Sequence, residues 1–258
     1  MATNEPKPKI TLHWLELSRS HRILWLLEEL NIGYELKTYK RGSDRLAPPE
    51  LKQIHPLGTS PLITIEVPGQ EKPVTMVESG EIVEYLCEFY GKHLIPPRYP
   101  EGKEGQIGME TEEWLRYRHY IHYAEGTIMP YNIMMLIVSI VSNPPGAPFF
   151  IKPIARRIGD GVKNIFLQKK LDTNWAFLEE QVKTAPNGGG YLCGTKLTGA
   201  DILMVFPLEG GRARTGLTKE KYPALWQYTE KLSNSEGYLR ATKKIEEATG
   251  EKFVAISA

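Results

Sequence analysis

The residues best suited to bind a small ligand flank a predicted strand that begins after Pro61. Because proline has no N–H, the backbone of the preceding residue, Ser60, keeps polar groups at the strand edge that can pair with a ligand. A cis peptide bond before Pro61 would hold that edge in place. Glu78 and Ser79 stand where the next helix starts, and the N–H groups of a first helical turn favour a carboxylate. Together these two features suit a peptide-like ligand with a free carboxylate.

Short strands and helices alternate around these groups. A β-branched apolar segment followed by leucines at helical spacing predicts an opening strand and helix, and a half-buried strand comes next. A doubled proline starts a short helix, and the two strands that follow are close enough to form a hairpin. The order, βαβ then α then ββα, is the thioredoxin-like plan. The predicted strands are Ile10–Leu17, Tyr34–Tyr39, Leu62–Glu66 and Val74–Val77, and the predicted helices are Ser20–Asn31, one after Pro49, and Ser79 to about Tyr90.

The rest of the chain is predicted to be helical. Residues 92–105 hold three prolines and no periodic apolar pattern, which indicates a linker. The sequence therefore predicts a disordered tail at residues 1–8, a thioredoxin-like domain at 9–91 and an all-helical domain at 106–258. Apolar residues recur at helical spacing in four segments of the second domain, which are Glu113–Tyr123, Ala155–Val182, Asp201–Leu208 and Ala224–Ala241.

A helix-capping signal in the second half concerns folding. Thr198 can cap a helix while Asp201 reaches back to it, and Leu197 and Ile202 are placed to pack as a hydrophobic staple. Losing such a cap costs about 0.5–2 kcal/mol of stability. We therefore leave these residues out of the candidate site.

Composition narrows the class of protein. The 258 residues are 41% apolar and 24% charged, which is ordinary for a soluble globular protein. A net charge of +1 gives the chain as a whole no general attraction to nucleic acid or anionic lipid. The longest mostly apolar run, Ile133–Val141, is well short of the roughly 20 residues that a membrane-spanning helix needs, and we predict a buried helix there.

Three sequence strings carry a resemblance to a known family. They are SRSHRILWLLEEL at residues 18–30, APPELKQIHPLGTSPL at 47–62 and ESGEIVEYL at 78–86. In this order they resemble the glutathione transferase family, and most closely its fungal and bacterial serine-type subgroup. The resemblance covers nearly the whole chain. It implies a thioredoxin-like N-terminal domain, a helical-bundle C-terminal domain and glutathione as co-substrate, with no metal.

Ser18 is the candidate catalytic residue that the resemblance implies, through a hydrogen bond donated to the sulfur of glutathione. A free thiol has a pKa of about 8.5, and the thiolate is the nucleophile. Lowering that pKa by about 2 requires the site to stabilise the thiolate over the thiol by about 2.7 kcal/mol. A hydrogen bond to a charged group contributes about 1.5–3 kcal/mol and a helix N-terminus about 0.3–1 kcal/mol, so no general base is required. The alternative is that Ser18 only caps the following helix, and Ser20 is the rival hydroxyl.

The resemblance also assigns the glutathione-binding residues. The backbone of Ser60, before Pro61, would bind the cysteinyl part, while Glu78 would meet the α-ammonium group and Ser79 the γ-glutamyl carboxylate. Glu78 could equally be an acid that stabilises the helix start. The sequence departs from the commonest family pattern at Thr59, where lysine often stands, and at Ser60, where an aliphatic residue is usual. Candidates for the glycine end of glutathione are Lys40, Arg41 and His55, and His55 can equally be structural.

The second substrate and the cysteines have competing interpretations. Family geometry points to the first helix after the linker, and aromatic side chains at helical spacing there can line a pocket or form a core. The residues concerned are Trp114, Arg118, Tyr123 and Tyr131.

Cys87 and Cys193 are interpreted as buried apolar side chains that form neither a disulfide framework nor a metal site, which fits a reducing cytosol. The absence of cysteine at the Ser18 turn argues against a cysteine-type enzyme.

The sequence thus predicts a cytoplasmic, homodimeric glutathione transferase with a role in detoxification. The thiolate would attack hydrophobic electrophiles, and attack on the oxygen of an organic hydroperoxide would give a glutathione-dependent peroxidase. No nucleic acid and no transmembrane segment are expected, and peripheral membrane association stays open. The alternatives are a non-catalytic glutathione-binding or regulatory protein of the same fold, and a scaffold subunit of a larger complex. Turnover of a chlorinated aromatic, or a stable larger assembly in cell extract, would distinguish them.

Overall fold

The computed structural model describes residues 7–256, and their contacts divide the chain into two compact units. The first unit runs to Ile95 and also includes the chain from Ser233 onward. The second unit is Pro96–Leu232. Residues 1–6 of the predicted tail lie outside the described residues.

A four-stranded mixed sheet forms the centre of the first unit, with strand order β2-β1-β3-β4. The first two strands are parallel, and the other neighbours are antiparallel. All of β1 after its first residue is buried, as expected for a central strand. The strands are β1 Lys9–Leu15, β2 Tyr34–Tyr39, β3 Leu62–Glu66 and β4 Val74–Val77.

Four α-helices accompany this sheet: α1 Ser20–Leu30, α2 Glu50–Ile54, α3 Ser79–Tyr90 and, from the end of the chain, Glu236–Thr249. A short 3₁₀ turn, Lys92–Leu94, follows α3. Nine of the eleven residues of α1 are buried. The Glu28 side chain on α1 accepts a hydrogen bond from Lys244 at 3.0 Å, which ties the last helix to the first. The predicted thioredoxin-like order is confirmed.

The second unit is helical, as predicted. Its helices are α4 Glu112–Tyr123, α5 Met129–Ser142, α6 Lys152–Val162, α7 Gln168–Lys183, α8 Gly199–Gly210 and α9 Pro223–Ser233, so that the helix Glu236–Thr249 is α10. Turns of π-helix, Ala124–Ile128 and Lys163–Leu167, join α4 to α5 and α6 to α7. The predicted helical segment at Ala224–Ala241 contains two helices, because Ser235 accepts a hydrogen bond from the Tyr238 N–H and so caps α10.

The predicted capping box at the start of α8 is present. One Asp201 oxygen accepts hydrogen bonds from the Thr198 N–H at 2.8 Å and the Thr198 hydroxyl at 2.6 Å. The other accepts from the Leu192 N–H at 3.0 Å and the Tyr228 hydroxyl at 2.5 Å. Burial raises the pKa of Asp201, and these donors oppose that effect.

The prediction of a buried helix at Ile133–Val141 is wrong. The segment is helical, but α5 buries only Met129, Asn132 and Met135, while Ile133 and Ile137 are 39% and 52% exposed. Apolar composition favours burial only where a neighbouring element covers the helix face. Within the described residues, the continuous helix Glu112–Ser142 is long and apolar enough to cross a membrane by length and composition.

Candidate functional site

Ser18 lies in the sharp turn between β1 and α1. Leu17 adopts a left-handed φ of 48°, and β1 therefore ends at Leu15, two residues earlier than predicted. The Ser18 side chain is largely buried. Its hydroxyl donates to the Leu15 carbonyl oxygen at 2.7 Å, and its oxygen accepts from the Ser20 N–H at 3.1 Å. The turn thus fixes the position of the Ser18 oxygen at the start of α1.

Three hydroxyl groups meet at this turn. The Ser20 Oγ lies 2.8 Å from the Ser18 Oγ and is also hydrogen-bonded to the Ser60 Oγ. The Ser18 and Ser60 oxygens are 3.5 Å apart. We call Ser18, Ser20 and Ser60 the serine cluster. Because each oxygen can donate or accept, a proton can be redistributed within the cluster when one hydroxyl turns toward a ligand.

The Ser60–Pro61 peptide bond is cis, as the sequence suggested. The Ser60 hydroxyl donates to the His13 carbonyl oxygen at 3.4 Å, and this contact joins the loop before β3 to the neighbouring strand β1. Thr59, the preceding residue, is exposed. The structure thus brings the predicted residues Ser18 and Ser60 together.

The start of α3 carries Glu78 and Ser79. Glu78 is exposed and has a φ of 67°, which non-glycine residues seldom adopt. Ser79 is buried, and its oxygen accepts a hydrogen bond from Arg22 Nη2 at 2.7 Å. Because the oxygen of Ser79 accepts this bond, its own proton remains a donor for an anion.

Arg22 was not among the predicted site residues. Its side chain is fully buried on α1, and it places a positive charge beside Ser79. The available signal in the sequence was an arginine four residues after Ser18, but its partner Ser79 lies 57 residues away in sequence. We assign Arg22 as a positioning residue for Ser79.

Lys40 and His55 have partners outside the serine cluster. Lys40 forms an exposed ion pair with Glu251 at 2.5 Å. It lines a cavity of about 410 Å³, which also borders Leu17. His55 accepts a hydrogen bond at Nδ1 from the Leu57 N–H at 3.3 Å, which is a structural contact within the loop.

Arg41 holds the loop that carries Ser18. Its Nε donates to the Glu16 carbonyl oxygen at 3.2 Å and its Nη2 to the Leu17 carbonyl oxygen at 3.3 Å. The Arg41 N–H also donates to the Glu16 carboxylate at 2.7 Å. These contacts join the turn after β1 to the end of β2, so Arg41 supports the turn rather than facing the serine cluster.

The aromatic candidates of the second unit are engaged within it. Tyr123 is buried and donates to the Asn174 side chain at 2.5 Å, and burial raises the pKa of its hydroxyl. The Arg98 guanidinium lies 4.5 Å from the Trp114 ring centroid. Tyr123 thus forms part of the helical core, which is the alternative that the sequence left open for these aromatics.

Both cysteines are buried, as predicted. Burial raises the pKa of Cys87 to about 12 and also raises the pKa of Cys193, so neither thiol is activated as a nucleophile. Among the described residues, no group of three or more His, Cys, Asp or Glu side chains could hold a metal ion.

The class of protein is defined by a thioredoxin-like unit, with hydroxyls at its first turn and a cis-proline loop, and a helical unit in the same chain. Two family models match the chain, "Glutathione S-transferase, N-terminal domain" over residues 18–88 and "Glutathione S-transferase, C-terminal domain" over residues 167–236.

Relatives match over nearly the full length. Glutathione S-transferase 1 of Saccharomyces cerevisiae is 34% identical over 247 residues, which are 95% of this chain and 99% of that protein. Glutathione S-transferase 3 of Schizosaccharomyces pombe is 30% identical over 93% of this chain and 89% of that protein. The crystal structure of the glutathione transferase URE2P8 from Phanerochaete chrysosporium with oxidized glutathione has a TM-score of 0.65 at 17% identity, covering 97% of this chain and 100% of that one. The chain belongs to the glutathione S-transferase family.

Proposed function

We propose that this chain is a glutathione transferase that activates the glutathione thiolate at Ser18. The observation that carries the proposal is the serine cluster, in which a buried hydroxyl at the first turn of the thioredoxin-like unit receives hydrogen bonds from its neighbours. The family models and the transferase names of the relatives support the same activity.

The serine cluster suits thiolate stabilisation. In the ligand-free arrangement Ser18 donates to the Leu15 carbonyl oxygen. When that proton turns toward a sulfur anion, the Ser18 oxygen can accept from both the Ser20 N–H and the Ser20 hydroxyl. Two donors to one hydroxyl oxygen polarise its O–H bond and strengthen its own donation. Ser20 is thus proposed as a positioning residue for Ser18.

The remaining parts of glutathione would be held at the loop before β3 and at the start of α3. The edge at Ser60 and Pro61 would pair with the cysteinyl part, while Glu78 would bind the α-ammonium group. Ser79, with Arg22 behind it, would bind the γ-glutamyl carboxylate. Thr59, next to Ser60, is a further candidate for contact with glutathione, and Lys40, Arg41 and His55 are the candidates for its glycine end. In the same proposal the glutathione-binding domain is residues 9–91, with a linker at 92–105 and a helical domain at 106–258.

The second substrate would be a hydrophobic electrophile or an organic hydroperoxide. In conjugation the sulfur attacks carbon and the leaving group departs with its electron pair. In peroxide reduction the sulfur attacks the terminal peroxide oxygen, the O–O bond breaks, and an alcohol leaves while glutathione sulfenic acid forms. The thiol of a second glutathione then attacks that sulfur and releases water, which gives the disulfide. Both reactions use the same thiolate, and both fit a detoxification role.

A homodimer and a cytoplasmic location complete the proposal. Tyr85 and Phe89 on α3 form a ring pair with centroids 4.6 Å apart, and Phe89 is 65% exposed. A second copy of the chain covering this pair would remove apolar surface from water. Light scattering of Phe89→Ser is expected to show a weakened dimer. Peripheral membrane association is compatible with this location.

The proposal is tested by calorimetric titration with glutathione, together with assays on a chlorinated aromatic and on an organic hydroperoxide. Saturable binding with turnover of either substrate is the expected result. Binding without turnover would favour a glutathione-binding regulatory protein, and lack of binding would overturn the proposal.

A further inference from the structure

The helix α6 and the turn after it expose a continuous aliphatic stripe. Its members recur at intervals of three or four residues, so they lie along one side of the helix. The buried residue of α6 is Gly159, where a Cβ would overlap the Ser142 Oγ of α5. Gly159 thus makes the close contact that holds α6 against α5, and the stripe remains exposed. The stripe consists of Ile151, Ile154, Ile158, Val162 and Ile165, which are 42–75% exposed.

Positive charge is concentrated around this stripe. Residues 144–170 carry six lysines and arginines against one aspartate, a net charge of +5 in a chain whose total is +1. Lys152, Arg156, Arg157 and Lys163 are exposed on α6 and the turn that follows. A helix with an aliphatic side and a cationic side is typical of elements that bind the surface of a membrane.

The connection before α6 adds aromatic side chains and a shallow cavity. Phe149 and Phe150 are 84% and 62% exposed. The cavity has a volume of about 370 Å³. Three cations at one cavity suit a phosphate group, since arginine recognises phosphate through paired donors. The lining residues are Phe149, Lys152, Pro153, Arg156, Arg157 and Asp160.

We propose that the stripe and its flanking cations, residues 149–165, bind the surface of a membrane containing anionic phospholipid. The aliphatic side chains and the two phenylalanines would enter the boundary between headgroups and acyl chains. The cations would contact lipid phosphates, because an anionic membrane surface attracts basic side chains that lie near it.

In this proposal α6 lies in the plane of the membrane, with its aliphatic side toward the acyl chains. A second copy of the chain is a poorer occupant of the stripe, because two cationic surfaces of the same kind repel each other when they meet.

Vesicle flotation of the full chain tests the proposal without glutathione, so its outcome is independent of transferase activity. The chain is expected to float with vesicles of phosphatidylcholine and phosphatidylserine, and much less with phosphatidylcholine alone. Arg156→Glu with Arg157→Glu should reduce the bound fraction at least about tenfold. Ile154→Ser with Ile158→Ser should reduce it by a similar factor. Matched controls are Ile107→Ser, at a residue 98% exposed elsewhere in the second unit, and Lys219→Glu with Lys221→Glu.

A labelled variant reports insertion directly. Because Cys87 and Cys193 are buried, Ile158→Cys offers an accessible thiol for a polarity-sensitive fluorophore. A blue shift on adding anionic vesicles is expected. Circular dichroism and the thermal unfolding midpoint of each variant verify that it is folded.

Three outcomes would overturn the proposal. They are failure of the wild-type chain to bind anionic vesicles, vesicle binding unaffected by both pairs of substitutions, and a fluorophore at residue 158 that stays in water on bound vesicles. A loss of dimer in the Ile154→Ser and Ile158→Ser variant, with vesicle binding unchanged, would assign the stripe to a second copy of the chain instead.

Discussion

The side-chain oxygens of Ser18 and Ser20 lie 2.8 Å apart, and the Ser20 backbone N–H donates to the same Ser18 oxygen. Ser18 thus lies two residues before the start of α1, and its oxygen is hydrogen-bonded to both the N–H and the hydroxyl of Ser20, the first residue of that helix. The sequence left open that Ser18 only caps α1, but Arg19 holds the N-cap position of that helix. The Ser18 oxygen nevertheless accepts a hydrogen bond from the Ser20 N–H in the first turn. The hydrogen bonds that fix the helix start also orient the hydroxyl.

Removal of the Ser18 hydroxyl tests its proposed role. Ser18→Ala is expected to lower turnover at least about tenfold, which corresponds to about 1.4 kcal/mol of lost transition-state stabilisation. The pKa of bound glutathione, followed by the ultraviolet absorbance of the thiolate, should rise. Ser139→Ala, at an exposed serine of α5, is the matched control. Turnover equal to that of the control would remove Ser18 from the mechanism.

Ser20→Ala tests the polarising role of the second hydroxyl. The Ser20 N–H remains, so Ser18 keeps one of its two donors, and the rise in the thiol pKa should be smaller than in Ser18→Ala. The Ser20 oxygen also accepts from the Leu15 N–H at 3.2 Å, and some loss of thermal stability is expected. A larger pKa rise than in Ser18→Ala would make Ser20 the principal donor to sulfur.

Much of the first unit could be predicted from sequence because its boundaries are set by local chemistry. Pro61 begins β3, and Ser79 begins α3 where the polar Glu-Ser pair predicted a helix start. The early end of β1 was missed because Leu17 takes a left-handed φ that its side chain does not signal. The Arg22–Ser79 contact was missed because a pairing between distant positions requires the folded chain.

The exposure of α5 could not be predicted from the sequence. Hydropathy identified Ile133–Val141 correctly as a helical apolar segment, but the presence of a covering neighbour is a property of tertiary packing. Lys40 depends on the fold in the same way, since its charge suits a ligand carboxylate and the folded chain places the Glu251 carboxylate beside it. Residue type indicates what a side chain can bind, and the fold decides what lies beside it.

Glu78 combines strain with a proposed binding role. A non-glycine residue at a φ of 67° carries backbone strain of about 1–3 kcal/mol. Glu78→Gly should therefore raise the free energy of unfolding by about 1 kcal/mol while raising KM for glutathione about tenfold. Glu78→Gln retains the strain and should raise KM alone. Urea unfolding and initial-rate kinetics measure the two effects, and an unchanged KM in both variants would exclude Glu78 from binding.

His21 makes the first unit sensitive to acid. Its ring is buried and stacks on Phe253 with centroids 3.8 Å apart, and burial lowers its pKa from 6.5 to about 3. The unfolded chain binds a proton here below pH 6.5 and the folded chain does not until about pH 3. Stability should thus be complete above pH 6.5 and fall as pH drops toward 3, by about 1.4 kcal/mol per pH unit.

Burial, followed by the charge of Lys37, also lowers the pKa of His13, to about 4, and this adds to the same trend. His21→Phe, which keeps an aromatic ring between Tyr238 and Phe253, should flatten the dependence. The exposed His93, changed to glutamine, provides the control. Thermal denaturation midpoints from about pH 4 to about pH 8, on both sides of the ordinary histidine pKa, measure the effect. An unaltered slope in His21→Phe would show that other groups cause the acid sensitivity.

Asp201 connects the start of α8 to two other segments of the second unit. Its carboxylate accepts from Thr198, Leu192 and Tyr228, and it is fully buried. Asp201→Asn keeps the volume but turns an amide N–H₂ toward groups that already donate. Since each hydrogen bond to a charged group contributes about 1.5–3 kcal/mol, the variant should lose at least about 2 kcal/mol of stability in urea unfolding. Asp160→Asn, at an exposed aspartate of α6, should be neutral by comparison.

Glutathione affinity measured below the unfolding transition should be unchanged in Asp201→Asn, because the carboxylate acts on folding of the helical unit and not on the serine cluster. A selective loss of affinity with unaltered stability would contradict this assignment.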